Sequence, residues 1–90
     1  MSDQWAWEYS PDHSHVAGGI PAAVIKEVER LADQLVELAD VGVDVSELGE
    51  GPHAGGLRRM NAANGWFYFL ASPHDRLIII VRIIPPFADL

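Results

Sequence analysis

Arg58 and Arg59 in "LRRMN", Tyr68 in "WFYFLAS", and Arg82 in "RLIIIVRII" are the side chains of this sequence best suited to chemistry. A guanidinium presents a planar fork of donors that fits a phosphate or a carboxylate. A phenol nearby adds a group that can pass a proton. Together they could contact nucleic acid or grip an anionic partner. Neighbouring residues of a strand point to opposite sides of its sheet, so Arg58 and Arg59 must separate. In the last strand Arg76, Ile78, Ile80, Arg82 and Ile84 share one face, and Leu77, Ile79, Val81 and Ile83 share the other. The all-aliphatic set is expected against the core, which leaves Arg82 on an open face. One of Arg58 and Arg59 should join it there, flanked by Tyr68 and Trp66. An open sheet face of arginine and aromatic residues is one way to bind RNA. The alternative is structural: Glu8, the one acid inside an expected strand, pairs with Arg82, because a half-buried charge needs a partner.

Two other stretches carry less. "DHSH" (12–15) places its histidines two residues apart in a segment that reads as helix or loop, a poor arrangement for a shared metal. Adjacent side chains also cannot form the hydrogen-bond chain of a catalytic triad. "GEGPHAGG" (49–56) lacks the Lys-Ser/Thr of a phosphate loop and reads as a flexible connector. His53 and His74 fall in connectors and are expected in solvent. No metal or cofactor is expected, and without cysteine there are neither disulfides nor thiolate ligands.

These residues need elements to hold them. "WAWEY" (5–9) alternates with the period of a half-buried strand, Trp5, Trp7 and Tyr9 on one side. Ser10 and Pro11 are placed to start a short helical turn that Gly18 and Gly19 end. Pro21 opens a helix over 21–40, with Val24, Val28, Leu31, Leu35 and Leu38 on one face, widened by Ile25, Ala32, Val36 and Ala39. Lys26, Glu27, Arg30, Asp33, Gln34 and Glu37 fill the other side, and Gly42 ends the helix. A connector over 41–56 leads to strands at 57–61, 66–72 and 76–84. The first turn between them contains Asn64-Gly65, and both turns are short enough for hairpins. Strands that follow the helices predict a single α+β domain over residues 1–90: an antiparallel sheet of the N-terminal strand plus a C-terminal three-stranded meander, with a helical layer on one face.

The net charge of −7 is unevenly spread. Residues 1–50 hold eleven acids against Lys26 and Arg30, and residues 51–90 hold two acids against four arginines. Phosphate backbones are repelled by the first half, so any nucleic acid is expected at the second. No apolar run approaches the ~20 residues of a membrane span, and the first residues have no signal-peptide pattern, so a cytoplasmic protein is expected.

An aromatic strand, "YSPD", twelve residues to Pro21, and a long amphipathic helix ending in "LADQLVEL" resemble the RelE/ParE superfamily, the small toxins of type II toxin–antitoxin systems. The later "SELGEG…GLRRM…GWFYFLASPHDRLIIIVRII" is similar to that family's connector and three-stranded meander. The resemblance implies helices on one sheet face, an exposed concave face on the other, and an antitoxin-like protein as partner, a homodimer being the other expectation. RelE-like members cleave mRNA on the ribosome, and ParE-like members act on DNA gyrase. For this chain the resemblance makes Arg82, Arg58, Arg59 and Tyr68 the candidates for catalysis. The sequence also departs from the family. Phe67 stands where a strand arginine is expected, and Pro85-Pro86-Phe87 replaces a histidine or arginine after the last strand. Weak or absent RNA cleavage is the expectation, and a non-enzymatic interaction module on the same fold is the alternative.

Overall fold

The amphipathic stretch that opens at Pro21 folds as the longest element of the computed structural model, which describes residues 4–86. The elements run β1 (Ala6–Tyr9), α1 (His13–Ala17), α2 (Ala22–Asp40), a 3-10 turn at Val45–Glu47, β2 (Arg58–Ala62), β3 (Gly65–Ser72) and β4 (Leu77–Ile84). The strands form one sheet in the order β1-β4-β3-β2. β2, β3 and β4 make the expected antiparallel meander. β1 instead lies parallel to β4, so the sheet is mixed and not antiparallel throughout. The helices explain this. They carry the chain back across the sheet, which starts β2 parallel to β1 at the far edge, and the meander then returns β4 alongside β1 in that same direction.

α2 buries Val24, Val28, Ala32, Leu35 and Ala39. Leu38, expected in the stripe, is 40% exposed, and Leu31 is only half-buried. The buried stripe is thus rotated toward the alanines, whose small side chains let the helix approach the sheet more closely than a leucine seam would. Opposite it lie Phe67, Phe69, Ile78, Ile80 and Ile83. α1 starts two residues later than expected: Asp12, not Ser10, is its cap, accepting the His15 N–H.

The faces of β4 differ from those expected. Ile78 and Ile80 are fully buried under the helices, whereas Leu77 and Ile79 lie on the other side. Strict alternation would then point Arg82 into the core. A β-bulge prevents that: Ile80 pairs with Phe69 but Arg82 with Tyr68, which leaves Val81 as an extra residue. A bulge reverses which side later residues face. Ile83 therefore returns to the core, and Arg82 and Ile84 to the open face.

The hairpin between β2 and β3 closes at Ala62 and Gly65, so its two central residues are Ala63 and Asn64, both at positive φ. That is the backbone of the tight primed turns. Gly65 serves another purpose, since a Cβ there would collide with the Ile84 carbonyl.

β1 and the residue before it are tied to α2 through acids of that helix. Tyr9 Oη donates to Glu29 Oε2 (2.9 Å), Trp7 Nε1 to Asp33 Oδ1 (2.8 Å), and the Trp5 N–H to Asp40 Oδ1 (2.7 Å). Trp7 meets Tyr9 edge-on at 5.1 Å, and Tyr9 meets His13 likewise at 5.3 Å. Burial, with the hydrogen bond to and charge of Glu29, pushes the Tyr9 phenol well above its ordinary titration range.

Leu35→Ala should cost about 2–5 kcal/mol in urea melts, as truncations of buried leucine do, and Leu38→Ala less than about 1 kcal/mol. The Tyr9 shift also predicts an alkaline loss of stability. A raised folded value means that the stabilisation is complete below the unfolded phenol value of about 10 and fades as pH climbs past it. The urea midpoint should fall on going from about pH 9 to pH 11, and fall less in Tyr9→Phe.

Candidate functional site

The two adjacent arginines of β2 part as the pleat requires. Arg58 turns toward the helix side, is 7% exposed, and gives its guanidinium wholly to the connector. Nε donates to the Leu48 carbonyl (2.9 Å), Nη1 to that of His53 (3.1 Å), and Nη2 to those of Glu47 (3.0 Å) and Gly49 (2.9 Å). No carboxylate is needed, because four carbonyl dipoles satisfy the buried cation. Val45 and Ser46, both buried, hold the other end of this segment. The connector expected to be flexible is therefore pinned at residues 47–53.

Pinning places residues 49–51 along the outer edge of β2. Glu50 and Arg59 exchange both backbone hydrogen bonds (2.8 and 2.7 Å), a one-residue extension of the sheet. Gly49 adopts φ +74°, and a Cβ there or on Gly51 would strike the Arg59 or Leu57 carbonyl. This is the role of the glycines in "GEGP": close backbone approach, with no phosphate involved.

Arg59 faces the open side. Its Nη2 is 3.0 Å from Glu50 Oε2, and its guanidinium carbon lies 5.7 Å from the centre of the Trp66 ring. Arg59 pairs across the strands with Tyr68, and Tyr68 with Arg82. Three of the residues suggested by the sequence thus form one row, Arg59–Tyr68–Arg82, with Asn61, Trp66 and Ile84 in the next. Arg82 is exposed, and neither it nor the Tyr68 hydroxyl has a hydrogen bond or ion pair with another described residue. The expected Glu8–Arg82 pair does not form. Glu8 lies opposite Ile79, and β1 ends before the row of Arg82.

No helix crosses this face. Trp66, Tyr68, Leu70, Leu77, Ile79 and Ile84 lie half-buried on it, packed beside one another. At the β2 edge Glu50, Gly51, Pro52, Leu57, Arg59 and Tyr68 enclose a groove of about 420 Å³. Sequence reading missed the groove because its outer wall is the connector. The signal that could have found it is the close spacing of Gly49 and Gly51 before Pro52, which marks backbone laid tightly on backbone.

The other candidates remain apart from this face. Asp12 and His15 pair at 2.9 Å on the surface, where His15 holds the Asp12 carboxyl below its usual range. His53 and His74 are exposed, as expected. Among the described residues no group of three or more His, Cys, Asp or Glu could hold a metal ion, and no helix is long and apolar enough to cross a membrane. No family model, curated protein or solved structure matches this chain.

Arg58→Ala would strand four carbonyls under the connector and should cost about 3 kcal/mol or more in urea melts. Arg59→Ala, which removes an exposed pair, should cost less than about 1 kcal/mol. Equal losses would mean that the connector is not held by Arg58.

Proposed function

We propose that this chain is a RelE/ParE-like protein of a toxin–antitoxin system that acts by gripping a macromolecular target, without cutting RNA. The observation that carries this reading is the Arg59–Tyr68–Arg82 row on a sheet face that no helix covers. Helices on one side and an uncovered face on the other is the arrangement that the sequence resemblance implies, and the resemblance is what supports the toxin family.

The chemistry of the face favours contact over cleavage. RNA hydrolysis needs one group to take the 2′-hydroxyl proton and another to protonate the leaving oxygen. Among the described residues around Arg82, Tyr68 is the side chain suited to proton transfer, with no histidine beside it in the row. The cations are also few. Arg59 is neutralised by Glu50, which leaves Arg82 as the unpaired arginine of the row, on a chain of net charge −7. Salt-sensitive phosphate binding requires several cations acting together. Tryptophan, tyrosine and arginine, by contrast, are the residues that dominate protein–protein contacts.

Induced expression should arrest growth, and Arg82→Ala should relieve the arrest while leaving the urea melt unchanged. Purified protein should not cleave ribosome-bound message. Growth unaffected by the wild-type chain would remove the toxin reading, and robust ribosome-dependent cleavage would replace contact by catalysis.

A further inference from the structure

The groove of about 420 Å³ at the β2 edge and the unpaired Arg82 lie on the same face, separated by Tyr68. The groove is walled by the apolar surfaces of Pro52, Leu57 and the Tyr68 ring, and Leu57 is 43% exposed into solvent beside it. Its charged wall is already neutral, since Glu50 and Arg59 bind each other at 3.0 Å. Arg82 is one strand beyond Tyr68, about 4.8 Å further across the sheet. An apolar hollow and a free guanidinium are thus held in fixed relation by a hydrogen-bonded sheet and by the connector that Arg58 pins in place.

We propose that this groove and Arg82 together take an extended segment of a partner protein, carrying an apolar anchor residue and, two positions along, a carboxylate. The inference rests on the contact reading above and names its partner chemistry. In an extended chain residues i and i+2 point to the same side, about 6.6 Å apart. A segment laid across the strands would seat a leucine-sized anchor between Pro52, Leu57 and Tyr68 and set the carboxylate over Arg82. Charge complementarity favours this occupant. Among the described residues of the row, Arg82 is the cation without a partner, and a carboxylate matches its planar fork. A nucleic acid would bring a row of phosphates past Glu50 on a chain of net charge −7.

The test is a ¹⁵N-resolved NMR titration of the whole chain with four probes: capped heptapeptides centred on Leu-Ser-Glu, Leu-Ser-Lys and Ser-Ser-Glu, and hexauridylate. The Leu-Ser-Glu peptide should shift Leu57, Tyr68 and Arg82, and each of the other two peptides should bind about ten-fold more weakly. Arg82→Gln should abolish the preference for Glu over Lys while keeping the leucine preference. Leu57→Ser should remove the leucine preference, with both variants retaining dispersed spectra. Shifts on this face with hexauridylate alone would make it a nucleic-acid surface. Shifts that grow with protein concentration, with no added probe, would make it an interface between copies. A face untouched by the Leu-Ser-Glu peptide would overturn the proposal. Growth arrest without peptide binding would leave the contact reading standing and remove this one, and peptide binding without growth arrest would do the reverse.

Discussion

The burial of Ile78, Ile80 and Ile83 against the helices is possible in one strand only because Val81 interrupts its alternation. β4 is the strand on which the sheet depends. It pairs with β1 on one side and β3 on the other, and its fully buried isoleucines lie beneath α2. Without the extra residue, the parity set by Ile78 and Ile80 would carry the Arg82 guanidinium into a core of phenylalanine and isoleucine. Burying an ion there without a partner is among the most costly things a small domain can do. The bulge avoids that cost and places the charge beside Tyr68, where the surface row takes its shape.

A second constraint works from the other edge. Arg58 and Arg59 are neighbours in sequence, yet one organises the interior and the other the surface. Arg58 reads the carbonyls of 47–53 from the helix side of β2, and Glu50 caps the outside of the same strand. An uncapped β2 would present open backbone groups to other strands. The segment that closes this edge also walls the groove, so stability and surface shape come from the same few residues.

The acidity of the first half has a structural share. Glu29 and Asp33 each accept a hydrogen bond from β1, a strand of only four residues that needs such anchoring, and Asp40 accepts one from Trp5 just before it. Paired as acceptors, these carboxylates favour retention of β1 at the sheet edge. The same charge discourages phosphate backbones from approaching the molecule.

Local rules in the sequence determined the two helices, the four strands and the separation of Arg58 from Arg59, because periodicity of 3.6 or 2 and glycine or proline breaks act within a few residues. They also placed Arg82 outside, although by way of the wrong face: Leu77 and Ile79 were expected inside, and the bulge that brings Arg82 out has no local signature in a run of aliphatic residues. The parallel pairing of β1, the rotation of the α2 stripe toward Ala32 and Ala39, and the partners of Glu29, Asp33 and Asp40 required the assembled sheet. Each depends on which distant surfaces meet. The connector makes the same point. "GEGPHAGG" reads as loose chain by composition, yet the Gly49 and His53 carbonyls on Arg58 and the Glu50–Arg59 backbone pair fix it, since a buried guanidinium must find its acceptors wherever the fold supplies them.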